Sequence, residues 1–242
     1  MIKLNLFFAL ALTLMAVPAV HASGGHDQPL DAVKIDLTNK AALQNGARIF
    51  VTQCLLCHSA AYMRYSRMGQ DLDLTDELVK EKLLYAAEKP GDPMRAVMAR
   101  DVAKEAFNTV PPDLTLTARS RGPDWFYTYM RSFYVDDKSR SGWNNTLIPN
   151  VAMPHVLSAW QGSQRAVLDK NGKIERLEIA TPGSMSVEEY NAQMRDLTHF
   201  MVYLGEPAKL VRYWLGWYVL AFAAVFLVFA YLLKKEYWRD VH

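Results

Sequence analysis

The sequence predicts a mainly α-helical exported domain with one small β-hairpin, followed by a single C-terminal transmembrane helix. Three observations predict it. Apolar residues recur at helical spacing along much of the chain, with Pro and Gly clusters marking the breaks. Asn171-Gly172 stands between two alternating segments, which is a tight-hairpin signal. Residues 214–233 carry no charge over twenty positions. At about 1.5 Å per residue such a helix spans roughly 30 Å, the thickness of a bilayer's hydrocarbon.

Taken in order, Met1-Ile2-Lys3 brings a positive charge before an apolar run from Leu4 to Val20, and Ala22 closes a small-residue cleavage site. That layout is a secretory signal over residues 1–22, with an uncleaved N-terminal anchor as the alternative. Residues 23–37 read as an extended polar lead-in. A helix is expected over residues 39–53, capped by Asn39, with Ala42, Gly46, Ile49 and Phe50 on one face. Further helices are expected over residues 75–88, 94–107 and 124–133, interrupted by Pro90-Gly91-Asp92-Pro93 and Pro111-Pro112. Residues 136–154 form a long loop, and 165–179 the hairpin. Ser186 and Glu189 make a capping box that opens a helix through Tyr203, closed by Gly205 and Pro207. Gly46 and Phe50 on the first helix can meet Leu197, Phe200, Met201 and Leu204 on the last, since a glycine lets two helix backbones approach closely.

Trp214, Trp217 and Tyr218 at one end of the uncharged run, and Tyr231, Tyr237 and Trp238 at the other, form aromatic belts. Lys234, Lys235 and Arg239 follow it and place a tail of residues 234–242 in the cytoplasm. The 242 residues then hold one exported domain of ordinary size, residues 23–208. The near-neutral net charge of +2 says little about partners, and no run of basic residues suggests nucleic acid.

Cys54-Leu55-Leu56-Cys57-His58 carries the chemistry. Cys-x-x-Cys-His is the attachment signature of a c-type haem: each thiol adds to one vinyl group and the histidine ligates the iron. These are the only two cysteines in the chain. A thioredoxin-like redox pair does not need the histidine, and a structural zinc site wants a second Cys/His pair that the sequence lacks. One covalently bound haem c follows, and with it electron transfer.

An electron carrier needs a sixth ligand, and His/Met ligation raises the potential. Of eleven methionines, Met1 and Met15 fall in the signal. Met94, Met98, Met130, Met194 and Met201 sit in helical patterns and read as core, while Met63 and Met68 lie too near the motif to cross to the other haem face. Met153 stands in a loop stiffened by Pro149 and Pro154, and is favoured over Met185. His155 and His199 remain rivals.

Several motifs occur in a fixed order: the Cys-x-x-Cys-His, Pro111-Pro112-Asp113-Leu114, Arg119 and Arg121, Ala152-Met153-Pro154, Thr181-Pro182-Gly183-Ser184-Met185-Ser186, Glu206-Pro207 and the terminal anchor. Over nearly the whole mature chain this resembles the cytochrome c1 family of bacterial cytochrome bc1 complexes. The resemblance implies a class I cytochrome c-like haem domain. Cys54 and Cys57 would hold the haem, with His58 and Met153 as axial ligands of the iron. Arg121 would pair with a haem propionate, as its bidentate fork suits a carboxylate. Tyr127 would lie nearby and Pro112 beside the haem. It further implies single-electron transfer from the Rieske iron–sulfur protein to a soluble cytochrome c, with cytochrome b as a further partner. The domain would stand on the periplasmic side of the inner membrane, and no catalytic site of its own is expected. A haem subunit of a terminal oxidase is the nearest alternative; a haem sensor or peroxidase is a more distant one. The chain departs from other members in having no cysteine to spare for an extra disulfide and no strongly acidic docking region.

Overall fold

A computed structural model describes residues 29–240. The signal assigned to residues 1–22 lies outside them. About half of the described residues are helical.

The first helix, α1 (Lys40–Ile49), starts where the sequence places it, with the Asn39 side chain accepting from the Ala42 amide at 3.1 Å. It does not run on as α-helix. Residues Phe50–Cys54 form a π-helical turn, in which the Leu55 amide donates to the Phe50 carbonyl at 2.9 Å. Such turns are rare and concentrate at functional sites. Next come β1 (Ala60–Arg64), α2 (Tyr65–Asp71) and α3 (Asp76–Lys82). The helix expected over 75–88 stops at Lys82, where Leu83 leaves helical geometry at φ -131°, and further on the Asp92 carboxylate takes the Glu88 and Lys89 amides. Pro90 also disfavours helical geometry at its predecessor.

The helix expected over 94–107 is likewise shorter. Met94 belongs to β2 (Pro93–Met94), and Val97 and Met98 give their amides to the Leu55 and Leu56 carbonyls. Only Arg100–Phe107 is helical (α4), ended by Asn108 at φ +58°. Then follow α5 (Thr117–Arg121), α6 (Pro123–Arg131), β3 (Phe133–Val135), β4 (Trp143–Asn145), α7 (Ser158–Gln161), β5 (Gly162–Leu168) and β6 (Ile174–Pro182). The hairpin β5–β6 turns through Gly172 at φ +77° and is longer at both ends than expected. It is one of three two-stranded antiparallel ladders, beside β1–β2 and β3–β4. The loop expected over 136–154 therefore contains a strand.

The last helix of the head, α8 (Val187–Gly205), carries the complete Ser186/Glu189 capping box. It crosses α1 at Gly46. A Cβ there would meet the Asp196 carbonyl oxygen and come within 2.7 Å of Phe200 Cβ, so only glycine permits the approach. Phe50 and Phe200 pack with ring centroids 5.7 Å apart, and Asn45 donates to Asp196 at 2.8 Å. The expected α1–α8 pairing is thus the axis of the core, which holds Leu43, Ile49, Leu197, Phe200 and Tyr203, all fully buried. Helix α6 lies against α8, and the Tyr190 hydroxyl donates to the Met130 carbonyl at 2.8 Å. The lead-in is docked on α6: the Asp31 amide donates to Thr128 Oγ1 and the Val33 amide to Asp124, both at 2.8 Å.

After three linking residues comes α9 (Lys209–Tyr237). Its stretch Val211–Tyr237 is long and apolar enough to cross a membrane and contains the span expected over 214–233. It leaves Trp214, Trp217, Phe222, Phe226 and Phe229 exposed, which suits lipid rather than water as the surrounding medium.

Candidate haem site

The Cys-x-x-Cys-His segment unwinds directly from the π turn. The Cys57 and His58 amides donate to the Cys54 carbonyl at 3.1 and 2.8 Å, folding the motif into a compact loop. Two neighbouring segments brace it. Residues 96–98 bond Ser59, Leu55 and Leu56, and the Leu114 amide donates to the Ser59 carbonyl at 2.8 Å.

His58 is oriented by a backbone atom. Its Nδ1 donates to the Pro112 carbonyl at 2.9 Å. That fixes the tautomer and leaves Nε2 as the lone-pair nitrogen, the arrangement expected of a metal-ligating histidine. Burial lowers its pKa, partly offset by the Pro112 bond and the Asp113 charge, so the ring is held in the neutral, ligating form. Asp113 completes the brace by accepting from the Ala61 and Thr115 amides at 2.8 and 2.9 Å. Pro112 therefore reaches the site through its carbonyl.

The two thiols are not joined to each other. Burial pushes Cys54 up to about 12 and raises Cys57 as well. Redox-active Cys-x-x-Cys pairs need the opposite shift, toward the thiolate. Among the described residues, no three Cys, His, Asp or Glu side chains gather as a metal site. Two unpaired thiols at this spacing, with a histidine that keeps Nε2 free, fit a c-type haem.

Of the methionines, Met63, Met68, Met94, Met130, Met194 and Met201 are buried core, while Met98 is half-buried beside the motif. Met153 is half-buried, and its Sδ accepts from the Tyr129 hydroxyl at 3.5 Å. Met185 is also half-buried, its amide bonded to the Trp160 carbonyl. His199 Nδ1 donates to the Arg195 carbonyl of its own helix at 2.7 Å. His155 is buried, its ring stacked on Phe133 at 5.0 Å and 4° and edge-on to Trp143 at 5.1 Å. Burial pushes its pKa down to about 4, with the nearby Gln161 side chain opposing the shift.

The end of α5 and one face of α6 present a continuous row. The Arg121 guanidinium lies 5.1 Å over the Trp125 ring, Trp125 stacks on Tyr129 at 5.0 Å and 12°, and Tyr129 reaches Met153. The structure thus joins Arg121 to Met153 and His58 to Pro112. Tyr127, two residues from both Trp125 and Tyr129, faces the other side of the helix, with the Arg131 guanidinium 4.5 Å over its ring. Trp125 and Tyr129 were not singled out by sequence. The i, i+4 spacing of Trp125 and Tyr129 within one aromatic helix was the available signal.

A Cys-x-x-Cys-His motif on a helical head, followed by one apolar helix long enough to cross a membrane, fits the class of c-type cytochromes. The model of the Cytochrome C1 family matches residues 34–241. Cytochrome c1 of Allochromatium vinosum is 45% identical over 95% of this chain and 96% of its own length. The ammonia monooxygenase gamma subunit of Nitrosomonas europaea is 45% identical over 96% of this chain and 97% of its own. A solved chain of a hyperthermophilic respiratory complex III is similar at 13% identity over 100% of this chain and 98% of that one, with a TM-score of 0.43. The chain belongs to the cytochrome c1 family.

Proposed function

We propose that this chain is the haem subunit of a quinol–cytochrome c reductase, taking single electrons from a Rieske iron–sulfur protein and giving them to a soluble cytochrome c. Family membership supports the general role. The observation that carries the site is the His58 Nδ1 bond to the Pro112 carbonyl, which frees Nε2 for iron. In this reading Cys54 and Cys57 hold one haem c by thioether bonds, and His58 and Met153 are its axial ligands. Arg121 offers its fork to a propionate from above Trp125, with Tyr127 behind, holding Arg131. The haem, once bound, supplies the one-electron carrier. The residues of the chain set its ligation, exclude water and orient its edge.

The anchor would hold the head on the periplasmic side of a bacterial inner membrane, with residues 234–242 in the cytoplasm and residues 1–22 acting as the export signal. Cytochrome b and the Rieske subunit would be the neighbours in the complex.

Solubilising the membranes and capturing the full chain by a C-terminal tag tests the reading. Co-capture of a b-type haem and a 2Fe–2S centre supports it. The relative named for ammonia monooxygenase makes the other outcome concrete. Capture with a monooxygenase and without either centre would move the chain to a different assembly.

A further inference from the structure

Most buried hydroxyls in a protein find an oxygen acceptor. Tyr129 does not. Its hydroxyl donates to a thioether, Met153 Sδ, at 3.5 Å. A thioether is a weak acceptor, so this placement needs a cause.

The ring is held from three directions. Trp125 stacks on it at 5.0 Å, and Phe133 meets it edge-on at 5.2 Å and 70°. Its backbone carbonyl accepts from the buried Asn145 side chain at 2.9 Å. Met153 itself stands on the loop between β4 and α7, 24 residues away in sequence. Fixing the ring therefore fixes the direction from which the loop sulfur is approached.

We propose that Tyr129 is the positioning residue of Met153, holding its sulfur by a hydrogen bond and tuning the iron that the sulfur ligates. The inference rests on Met153 being the sixth ligand. A thioether sulfur has two lone pairs. If one goes to iron, the other remains for the tyrosine O–H. Donation from the hydroxyl withdraws electron density from sulfur. That weakens the bond to ferric iron more than the bond to ferrous iron, and so raises the potential. A net hydrogen bond is worth roughly a two- to tenfold change in an equilibrium constant.

The test is Tyr129→Phe in the full-length haem-loaded complex, followed by redox titration and by the far-red sulfur-to-iron charge-transfer band of the ferric form. Phe keeps both ring contacts and the backbone bond, so the fold is preserved. The expected result is a shift of the ferrous–ferric equilibrium toward ferric by roughly two- to tenfold, the upper limit being about 59 mV for one electron. The band persists but moves in energy. In a Met153→Leu background the same tyrosine change should leave the potential alone, because the acceptor is gone. If Met153→Leu removes the band but Tyr129→Phe moves neither band nor potential, Tyr129 is packing only and the inference is overturned. If the band survives Met153→Leu, the ligand assignment itself fails, and this inference with it.

Discussion

At the residue scale the proposed site divides into groups that would bond iron or haem and groups that aim them. His58 is aimed by a carbonyl and Met153 by a hydroxyl. The first separates two tautomers; the second selects one approach to a flexible side chain. Met153→Leu conserves volume and apolarity, so the fold should survive. The variant should lose the far-red charge-transfer band, with the ferrous–ferric equilibrium shifted by on the order of tenfold or more, about 59 mV per tenfold step. Met185→Leu should change neither, which optical redox titration of both variants decides. The candidate trio Cys54, Cys57 and His58 was legible in the sequence because the covalent attachment proposed for it demands that spacing. The Pro112 carbonyl was not, since a backbone oxygen has no residue-type signature. Tyr129 was not, because its bond closes a gap of 24 residues that no local pattern records.

At the element scale, strong local signals held and weak ones gave way to side-chain competition. The capping box at Ser186, the Asn171-Gly172 turn and the Gly46 crossing were all readable, because each depends on a few adjacent residues or on a missing Cβ. The lengths of α3 and α4 were not: Leu83 leaves helical geometry, and the Leu55 and Leu56 carbonyls take the Val97 and Met98 amides that a longer α4 would need. Ladders of two and three residues, such as β1–β2 and β3–β4, are too short to show alternation. Gly46→Ala should force α1 and α8 apart. Overpacking costs about 1–3 kcal/mol, enough to lower the melting temperature by several degrees in a calorimetric scan. Ser186→Ala should cost about 1 kcal/mol at neutral pH. Its partner Glu189 is held below the ordinary carboxylate range, chiefly by the Ser186 amide. A depressed carboxyl pKa stabilises the fold above the unfolded value, about 4.3, and that share is lost as pH falls through the folded value. Melting curves of the parent and of a Glu189→Ala variant, which lacks the carboxyl, should therefore draw together on acidification below about pH 4.

At the scale of the whole molecule, head and anchor are built for different solvents. The head closes its core without α9, whose span buries none of its most apolar stretch within the chain. Ending the chain after Tyr213 should yield a soluble domain that still attaches haem, with Glu206 still bonded to Arg119 and Arg212. Quantitative sedimentation of this stably folded domain with membranes would contradict the anchor assignment. The join has its own consequence. Only residues 206–208 separate α8 from α9, and Glu206 is gripped by Arg119 of the head at 2.9 Å and by Arg212 of the anchor. Helix α8 in turn crosses α1, whose far end runs into Cys54. A three-residue elbow, ion-paired to both sides, leaves little chain to absorb motion between α9 and α8. In the proposed reading a haem held at Cys54 would follow the tilt of α9, and reach toward its redox partners would come from those partners rather than from a long tether.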